Sequence, residues 1–374
     1  MSERTVLVTG AFGQVGWRCV DILLQRGHTV VATDLPTETS RAVAARLAAG
    51  THPGTFLPVY ADLLDAGAVS RLVVEHSPAA IVHLAAMLAP ASYRNPTLAR
   101  RINVGGTTHL LEAAAALPSP PTVAYASSAS VYGSRNPYRH PELITPATPV
   151  NPIDQYGEDK VLAEKVITDS GLPSAMLRLA GVISPDAAGS MNSDYLVLMR
   201  ATPGDNRLHT VDARDVALAF ANAAERGTAV AGKVLLIGGD ETHLHSHREV
   251  EDDMMAAMGL GRLGPGASLP GDPDDDRGWS FTGWYDTTES QALLDYQKHR
   301  WSETVAWVAE SQSGAVRTAL GLAGPLIRPA MRLVLAAQRR QERRGRYADP
   351  WTFIAGKYGP EILAGAGEAR KEPT

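Results

Sequence analysis

The stretch Thr9-Gly10-Ala11-Phe12-Gly13-Gln14-Val15-Gly16 decides the fold. It follows a β-branched run, residues 5–9, and opens a helical pattern over residues 13–26 that Gly27 ends. Glycines between a strand and a helix let the backbone approach a pyrophosphate, and the start of the helix supplies unpaired N–H donors and a positive dipole end. The stretch therefore predicts a phosphate-binding turn in a parallel α/β sheet.

An acidic residue supports this interpretation. Asp34 closes the second β-branched run, residues 29–33, and lies 18 residues after Gly16. A carboxylate at this place accepts hydrogen bonds from an adenosine ribose and repels a 2′-phosphate, which favours NAD over NADP. The alternative is that Asp34 is a helix cap or a turn residue.

Apolar runs alternate with helical patterns along the first half of the chain. Further strands are predicted at 56–60, 80–84, 123–126 and 175–179, and helices near 39–49, 65–76, 97–116 and 154–170. Continuous apolar strands joined by helices are typical of a sheet that is covered on both faces. The expected fold class is α/β, a doubly wound parallel (Rossmann) sheet with a smaller C-terminal substrate-binding region and an added helical tail.

Composition excludes several classes of protein. The chain has 374 residues and a formal net charge of −5, which gives no general attraction to nucleic acid. Its one cysteine, Cys19, excludes an intramolecular disulfide and a zinc site built on cysteines, and we predict no metal. The absence of an uninterrupted apolar run of about 18 residues argues against an ordinary transmembrane helix. Because no signal peptide is visible, the expected compartment is the cytoplasm.

Seven elements in chain order resemble the extended branch of the short-chain dehydrogenase/reductase superfamily, which includes the NAD-dependent epimerase/dehydratase family. Two of them are the glycine turn, spaced Gly-x-x-Gly-x-x-Gly, and Asp34. The others are Asp62-Leu63, His83-Leu84-Ala85-Ala86, Asn103-Val104-Gly105-Gly106-Thr107, Ser127-Ser128-Ala129-Ser130-Val131-Tyr132-Gly133 and Tyr156-Gly157-Glu158-Asp159-Lys160. The resemblance covers residues 4–300 approximately.

Tyr156 and Lys160 stand four residues apart and share one face of a predicted helix. A tyrosine with a pKa near 10 is a poor base at neutral pH, but a nearby ammonium and a positive nicotinamide favour the phenolate. The resemblance implies that Tyr156 is the acid/base, that Lys160 lowers its pKa and holds the nicotinamide ribose, and that Ser128 binds the reacting oxygen. Ser127 is the alternative if the alignment slips by one, and Ser130 could also face the substrate.

The resemblance also implies a set of cofactor-binding residues. They are Gly10, Phe12, Gly13, Gln14, Val15, Asp34, Asp62, Leu63, Leu84, Ala85, Ala86, Asn103, Tyr156 and Lys160. For Asn103 we favour packing or bridging inside the sheet–helix layer over a direct catalytic role. His83 at a strand end is interpreted as a hydrogen-bonded structural histidine.

The substrate is less well defined. Gly181 falls where sugar-nucleotide epimerases carry an Asn, and Ala129 and Ser130 fall where dehydratases carry an Asp-Glu pair. Expected pocket residues beyond the strand ends are mostly apolar or aromatic: Met87, Leu88, Tyr93, Tyr132, Met191, Asn192 and Tyr195. We therefore expect hydride transfer between NAD and a secondary alcohol or ketone on a small apolar substrate. The alternatives are a sugar-nucleotide epimerase with tightly bound NAD and a non-catalytic dinucleotide-binding sensor or scaffold.

Three regions are predicted. Residues 1–180 form the NAD-binding domain, residues 181–313 are mainly a substrate-binding region with strands that return to the sheet, and residues 314–374 form a basic amphipathic helical tail. The tail packs on the body or on a partner subunit, or it contacts a membrane surface. The family resemblance implies a homodimer through the helices near 97–116 and 154–170. The alternating His243, His245 and His247 are expected in a solvated loop.

Overall fold

The computed structural model describes residues 4–186, 193–280 and 283–365. Its strands are β1 (Thr5–Thr9), β2 (Thr29–Asp34), β3 (Thr55–Tyr60), β4 (Ala80–His83), β5 (Thr122–Ser128), β6 (Ser174–Leu179), β7 (Gly181–Ile183), β8 (Arg207–Asp212), β9 (Val234–Ile237) and β10 (Leu244–Ser246). Its helices are α1 (Gly16–Gln25), α2 (Glu38–Ala48), α3 (Ala66–His76), α4 (Ala91–Arg94), α5 (Pro96–Arg100), α6 (Thr107–Ala115), α7 (Gln155–Asp169), α8 (Ser193–Ala201), α9 (Ala213–Arg226), α10 (His247–Ala257), α11 (Thr288–Leu294), α12 (Trp301–Glu310), α13 (Gly314–Gln341) and α14 (Pro350–Tyr358).

The main sheet has seven strands in the order β3-β2-β1-β4-β5-β6-β9, and every neighbouring pair is parallel. This arrangement confirms the doubly wound fold predicted from the sequence. The strand order reverses between β1 and β4, and such a switch point leaves a crevice beyond the carboxyl ends of the strands. The chain thus brings the glycine turn after β1 and the motif after β4 to one edge.

Apolar side chains of the sheet face two separate cores. In β1, Val6 and Val8 join the core on one face, whereas Leu7 joins the core on the other. This division follows from the alternation of side chains along a strand. Helices α1 and α9 contribute to the first core, and α3 and α6 to the second. The sheet is therefore buried on both faces, as the continuous apolar strands predict.

The region after β6 returns to the main sheet through β9, as expected, and also forms a small sheet of β10, β8 and β7. This sheet corrects the expectation for the histidine run. His245 lies in β10 opposite Leu208, and the buried His243 hydrogen-bonds Thr210. The run is therefore structural rather than a solvated loop, and the described residues contain no cluster able to hold a metal ion.

The tail contains two different helices. Helix α13 has Pro325 and Pro329 in its interior, and of its residues only Gly324 is buried. By length and composition alone it could cross a membrane, although Arg328 and Arg332 interrupt its apolar run. The absence of a transmembrane helix therefore stays a prediction from the sequence. Helix α14, in contrast, packs Trp351 and Ile354 into a core that includes Tyr156.

Candidate active site

A cavity of about 650 Å³ lies beyond the carboxyl ends of the central strands. It brings together most of the residues that the sequence predicts for a cofactor and for catalysis. Its lining includes Gly10, Gly13, Gln14, Val15, Asp34, Asp62, Leu63, Leu84, Ala85, Ala86, Ser128, Tyr156 and Lys160. Phe12 and Asn103 are not among the lining residues. The motifs that are far apart in the chain therefore meet at one site.

The glycine turn is packed too closely for side chains at two of its positions. Gly10 has a φ of +64°, and a Cβ there would lie 2.8 Å from the amide nitrogen of Ala85. A Cβ at Gly16 would lie 2.1 Å from the carbonyl oxygen of Gly10. At Gly13, by contrast, a Cβ would meet only that oxygen, at 3.4 Å. The turn thus presents bare backbone to the cavity, which fits the close approach of a pyrophosphate.

Asp34 is fixed at the end of β2 by two backbone amides. Its carboxylate accepts hydrogen bonds from Phe12 N at 3.1 Å and Leu35 N at 2.8 Å. The Phe12 side chain packs on Tyr60, with ring centroids 5.9 Å apart. Phe12 therefore positions Asp34 through its amide instead of lining the cavity, which corrects its predicted place. A fixed carboxylate at this edge suits two ribose hydroxyls and opposes a phosphate.

Ser128, Tyr156 and Lys160 meet on the opposite side of the cavity. The Ser128 hydroxyl lowers the pKa of Tyr156 and donates to Ser130 Oγ at 3.1 Å. The Lys160 ammonium donates to the carbonyl oxygen of Ala126 at 2.6 Å and lies 5.8 Å from the centroid of the Tyr156 ring. The three predicted residues are therefore close together, and the Lys160 ammonium lies over the ring of Tyr156 rather than hydrogen-bonded to its hydroxyl.

Burial controls the protonation of both ionisable groups. It raises the pKa of Tyr156 above its ordinary value, and the hydrogen bond with Ser128 opposes this effect. Burial also lowers the pKa of Lys160 to about 8, against the attraction of Glu164 and Asp159. The side chains alone therefore do not produce the low pKa of Tyr156 that the sequence led us to expect. Formation of the phenolate needs a further positive charge in the cavity.

Helix α7, which carries Tyr156 and Lys160, is fixed at its first turn. Asp154 Oδ1 caps the helix by accepting from Gly157 N at 2.9 Å, and Asp154 Oδ2 accepts from the Tyr93 hydroxyl at 2.5 Å. Burial raises the pKa of Asp154 to about 6. Tyr93 is therefore a buried support of α7, which corrects its predicted place in the pocket.

A buried ion pair lies under the serine motif. Arg178 donates to the two carboxylate oxygens of Glu164 at 2.8 and 2.6 Å. Ser127 donates to Glu164 Oε1 at 2.5 Å, and Arg178 donates to the Tyr132 hydroxyl at 2.8 Å. Tyr132 thus belongs to this network and not to the cavity lining. The Ser127 hydroxyl is hydrogen-bonded to Glu164. Of the two candidate serines, Ser128 is therefore the one assigned to act with Tyr156.

Two polar residues have structural roles, as the sequence indicated. Asn103 accepts from Met87 N at 2.8 Å and donates to Met87 O at 3.1 Å, so it holds the segment after β4. His83 lies between the Thr9 hydroxyl at 2.7 Å and the Thr107 hydroxyl at 2.9 Å. Burial lowers its pKa to about 3, so it stays neutral. Asn103 therefore acts on the site through the backbone of Met87.

The rim of the cavity is largely apolar. Met87 and Leu88 line it, as predicted, together with Ile102, Val182 and Leu198. Tyr195 lies on α8 outside the lining and is 45% exposed. Met191 and Asn192 lie outside the described residues.

Comparisons with known proteins agree with this site. Residues 6–238 match the NAD dependent epimerase/dehydratase family. The chain is 37% identical over 159 residues to UDP-glucose 4-epimerase of Mycolicibacterium smegmatis, covering 42% of this chain and 48% of that protein. It is 29% identical over 286 residues to UDP-glucose 4-epimerase 4 of rice (Oryza sativa subsp. japonica), covering 72% and 74%. The chain spans less than half the length of two of the curated relatives it matches, both of them UDP-glucose 4-epimerases.

A solved structure extends the agreement to the fold. The UDP-glucose-4-epimerase from Stenotrophomonas maltophila, solved with bound NAD and formylated UDP-arabinopyranose, superposes with a TM-score of 0.65 at 21% identity. The superposition covers 82% of this chain and 98% of that one. The fold is a Rossmann fold of the extended short-chain dehydrogenase/reductase type. The chain belongs to the NAD dependent epimerase/dehydratase family.

Proposed function

We propose that this protein inverts a hydroxyl-bearing carbon of a sugar nucleotide by reversible hydride transfer with retained NAD. The observation that carries the proposal is that Ser128, Tyr156 and Lys160 line one cavity together with the glycine turn and Asp34. Support comes from the relatives, several of which are named as UDP-sugar 4-epimerases. The proposal replaces the expected net oxidation of an apolar alcohol as the first candidate.

The binding roles follow from the donors and acceptors around the cavity. Asp34 accepts from the hydroxyls of the adenosine ribose, and the amides of the glycine turn bind the pyrophosphate. Lys160 uses one ammonium hydrogen on Ala126 O, so two hydrogens remain for a ribose hydroxyl. When bound, NAD supplies the hydride acceptor and donor and places a positive charge near Tyr156, which favours the phenolate.

The chemical step assigns one proton to Tyr156. The phenolate takes the proton of the substrate hydroxyl while the hydride leaves the same carbon, and a ketone forms. Ser128 donates to the oxygen that becomes the carbonyl. The phenol of Tyr156 then returns the proton as the hydride comes back to the opposite face of the ketone. The net result is inversion at one carbon with no net oxidation.

A second candidate is net dehydrogenation of a small apolar alcohol. The apolar rim of Met87, Leu88, Val182 and Leu198 favours it, and so does Gly181 at the position of the expected Asn. The same Ser128 and Tyr156 would act, but the reduced cofactor would leave. The third hypothesis, a sensor without turnover, gives no reason for Ser128, the buried Tyr156 and Lys160 to line one cavity.

One experiment separates these candidates. Purified protein and the Tyr156→Phe variant are incubated with UDP-glucose, UDP-galactose and UDP-glucuronic acid and, in separate samples with added NAD, with a panel of apolar secondary alcohols. Products are resolved by proton NMR while absorbance at 340 nm is followed. Epimer formation by the wild type, without net absorbance and with NAD released only on denaturation, supports the proposal. A steady rise at 340 nm with apolar secondary alcohols, and no epimer from any sugar nucleotide, overturns it in favour of the dehydrogenase.

The predicted homodimer remains a prediction. The chain's own C-terminal segment reaches the first turn of α7, because Ala364 N donates to Ile153 O at 3.1 Å and Gly365 N donates to Glu158 Oε1 at 3.0 Å. A partner subunit on α6 and α7 would therefore pack beside this segment. Light scattering of the full chain measures whether the dimer forms.

A further inference from the structure

We propose that the outer face of α13 binds the surface of an anionic lipid bilayer and lies in the plane of that surface. The apolar face carries three leucines at helical spacing. Leu322, Leu326 and Leu333 are 81%, 80% and 72% exposed. Isolated exposed leucines are common, but an aligned set along one long helix is typical of an interaction site. The proposal does not depend on the reaction catalysed at the cavity.

The opposite face of α13 is attached to the body. Met331 and Leu335 pack against a small core of Met255, Leu263 and Ala267. Arg328 donates to Leu260 O at 3.2 Å, and Arg332 donates to Leu263 O at 2.9 Å. Because these residues fix the rotation of the helix, the three leucines point away from the protein. The outer face of α13 is therefore exposed while the helix is packed on the body, and not because the helix is detached.

Charge favours an anionic surface as the occupant. Between Gly314 and Gln341 the sequence contains five arginines and no acidic residue. Arg340 and Arg343, at the end of the apolar face, are exposed. Residues 314–374 contain 11 Lys and Arg against 5 Asp and Glu, in a chain whose formal net charge is −5. Leucines that enter the acyl boundary beside arginines at the headgroups are typical of interfacial helices.

Two other partners for the outer face of α13, another segment of this chain and a second copy of the helix, fit less well. Residues 366–374 (AGEARKEPT), which lie outside the described residues, are polar and do not suit an apolar helix face. A second copy of α13 would bring arginines without any carboxylate to pair with them. Anionic phosphate headgroups supply the missing negative charge.

Three features favour a helix that lies in the interface over one that spans the bilayer. Pro325 and Pro329 lack the amide hydrogens that would bond the carbonyls of Gly321 and Pro325, and a carbonyl without a donor is costly in hydrocarbon. The attachment of Arg328 and Arg332 to carbonyls of the body would have to break for the helix to cross. At an interface, water reaches the carbonyls and the attachment stays intact.

The test is flotation of the full-length protein with vesicles. Vesicles of phosphatidylcholine alone are compared with vesicles that also contain 30% phosphatidylglycerol. The wild type is expected to float with the anionic vesicles and much less with the neutral ones. A wild type that stays unbound with both overturns the proposal.

Three variants identify the surface that binds. Leu326→Gln/Leu333→Gln is expected to lower partitioning onto anionic vesicles by about 10-fold or more. Arg340→Gln/Arg343→Gln should lower it by about 10-fold on anionic vesicles with little change on neutral ones. Val74→Gln on α3, a residue 56% exposed in the wild type, is the matched control and should float like the wild type. Equal flotation of the leucine variant and the wild type overturns the proposal.

Two further outcomes separate the other occupants. If the wild type dimerises in solution and the leucine variant is monomeric, with flotation absent in both, the face binds a second copy and the proposal fails. If protein expressed in cells stays in the membrane pellet after carbonate extraction at pH 11, α13 spans the bilayer, and the in-plane orientation is wrong. Release of the protein by carbonate supports the in-plane orientation.

Discussion

The region around the cavity and helix α13 distribute charge and apolar surface in opposite ways. Around the cavity, Lys160 and Arg178 are 2% and 6% exposed, and each has a hydrogen-bond partner inside the protein. On α13, Leu322, Leu326 and Leu333 face outward, and Arg328 and Arg332 donate to carbonyls of the body. The first region is complete within one chain, whereas the second presents a surface suited to something outside it.

The opposite distributions of charge and apolar surface reflect different tasks of the cavity region and of α13. The buried Lys160 near Tyr156 is useful to a reaction that moves a proton and a hydride. Lys160 and Arg178 are tolerated inside the protein because a carbonyl and a carboxylate pair with them. Exposed leucines contribute little to folding, because they lose little water contact when the chain folds. Substitutions near the cavity should therefore change activity and stability. Substitutions of the exposed leucines on α13 should change neither.

The largest effect is expected from Tyr156→Phe. Removal of the hydroxyl eliminates proton transfer and should lower kcat by about 10²- to 10⁴-fold, with NAD binding retained. Steady-state kinetics on the active substrate measures it. Tyr125→Phe is the matched control, because the buried Tyr125 hydroxyl has no hydrogen-bond partner among the residues that the structure describes and its loss should leave kcat within twofold. Equal losses in the two variants would assign Tyr156 a packing role.

The next effect is on stability at the buried ion pair. Glu164→Gln leaves Arg178 without its counter-charge and should cost about 3 kcal/mol of unfolding free energy. The control is Asp169→Asn, which breaks the exposed Lys165–Asp169 pair on the same helix and should cost less than about 1 kcal/mol. Urea unfolding compares them. Similar costs for both changes would mean that Glu164–Arg178 does not support the serine motif.

His83 gives a pH-dependent effect. Its pKa is lowered to about 3 in the folded protein, while an unfolded histidine titrates near 6.5. Between these values the unfolded state binds the extra proton, so stability is lost as pH falls below about 6.5. From pH 7 to pH 5 the wild type should lose about 2 kcal/mol more than His83→Asn. Parallel stability curves for the two proteins would contradict the buried neutral state.

The smallest effect is expected on α13. Leu326→Gln/Leu333→Gln should change the unfolding free energy by less than about 0.5 kcal/mol, because both side chains are already in water. Leu110→Gln, in the buried core of α6, should cost more than about 3 kcal/mol. Thermal and urea unfolding measure both. A large loss in the α13 variant would mean that its outer face packs on this chain.

The sequence predicts the parts of the molecule that depend on local pattern. The glycine turn, Asp34 and the spacing of Tyr156 and Lys160 lie within single strand–turn–helix units, so periodicity and motif spacing locate them. Most of the predicted cofactor-binding residues line one cavity, and their binding roles stay predictions. The parallel sheet follows similarly from the alternation of apolar strands and helices.

What the sequence does not predict depends on contacts between distant segments. Glu164 and Arg178 are buried against each other only because α7 crosses β5 and β6. Tyr93 and Tyr132 are aromatic residues near the right loops, but Asp154 and Arg178 hold their hydroxyls away from the cavity. The direction that α13 faces is likewise set by Met331 and Leu335 on the body.

We propose that the cavity binds NAD through the turn after β1 and the carboxylate of Asp34 after β2. Calorimetric titration of the wild type and of Asp34→Asn with NAD and with NADP measures this binding. The wild type is expected to bind NAD at least about 10-fold more tightly than NADP, and Asp34→Asn is expected to remove most of this preference. Equal affinity of the wild type for both dinucleotides, or an unchanged preference in the variant, would contradict it.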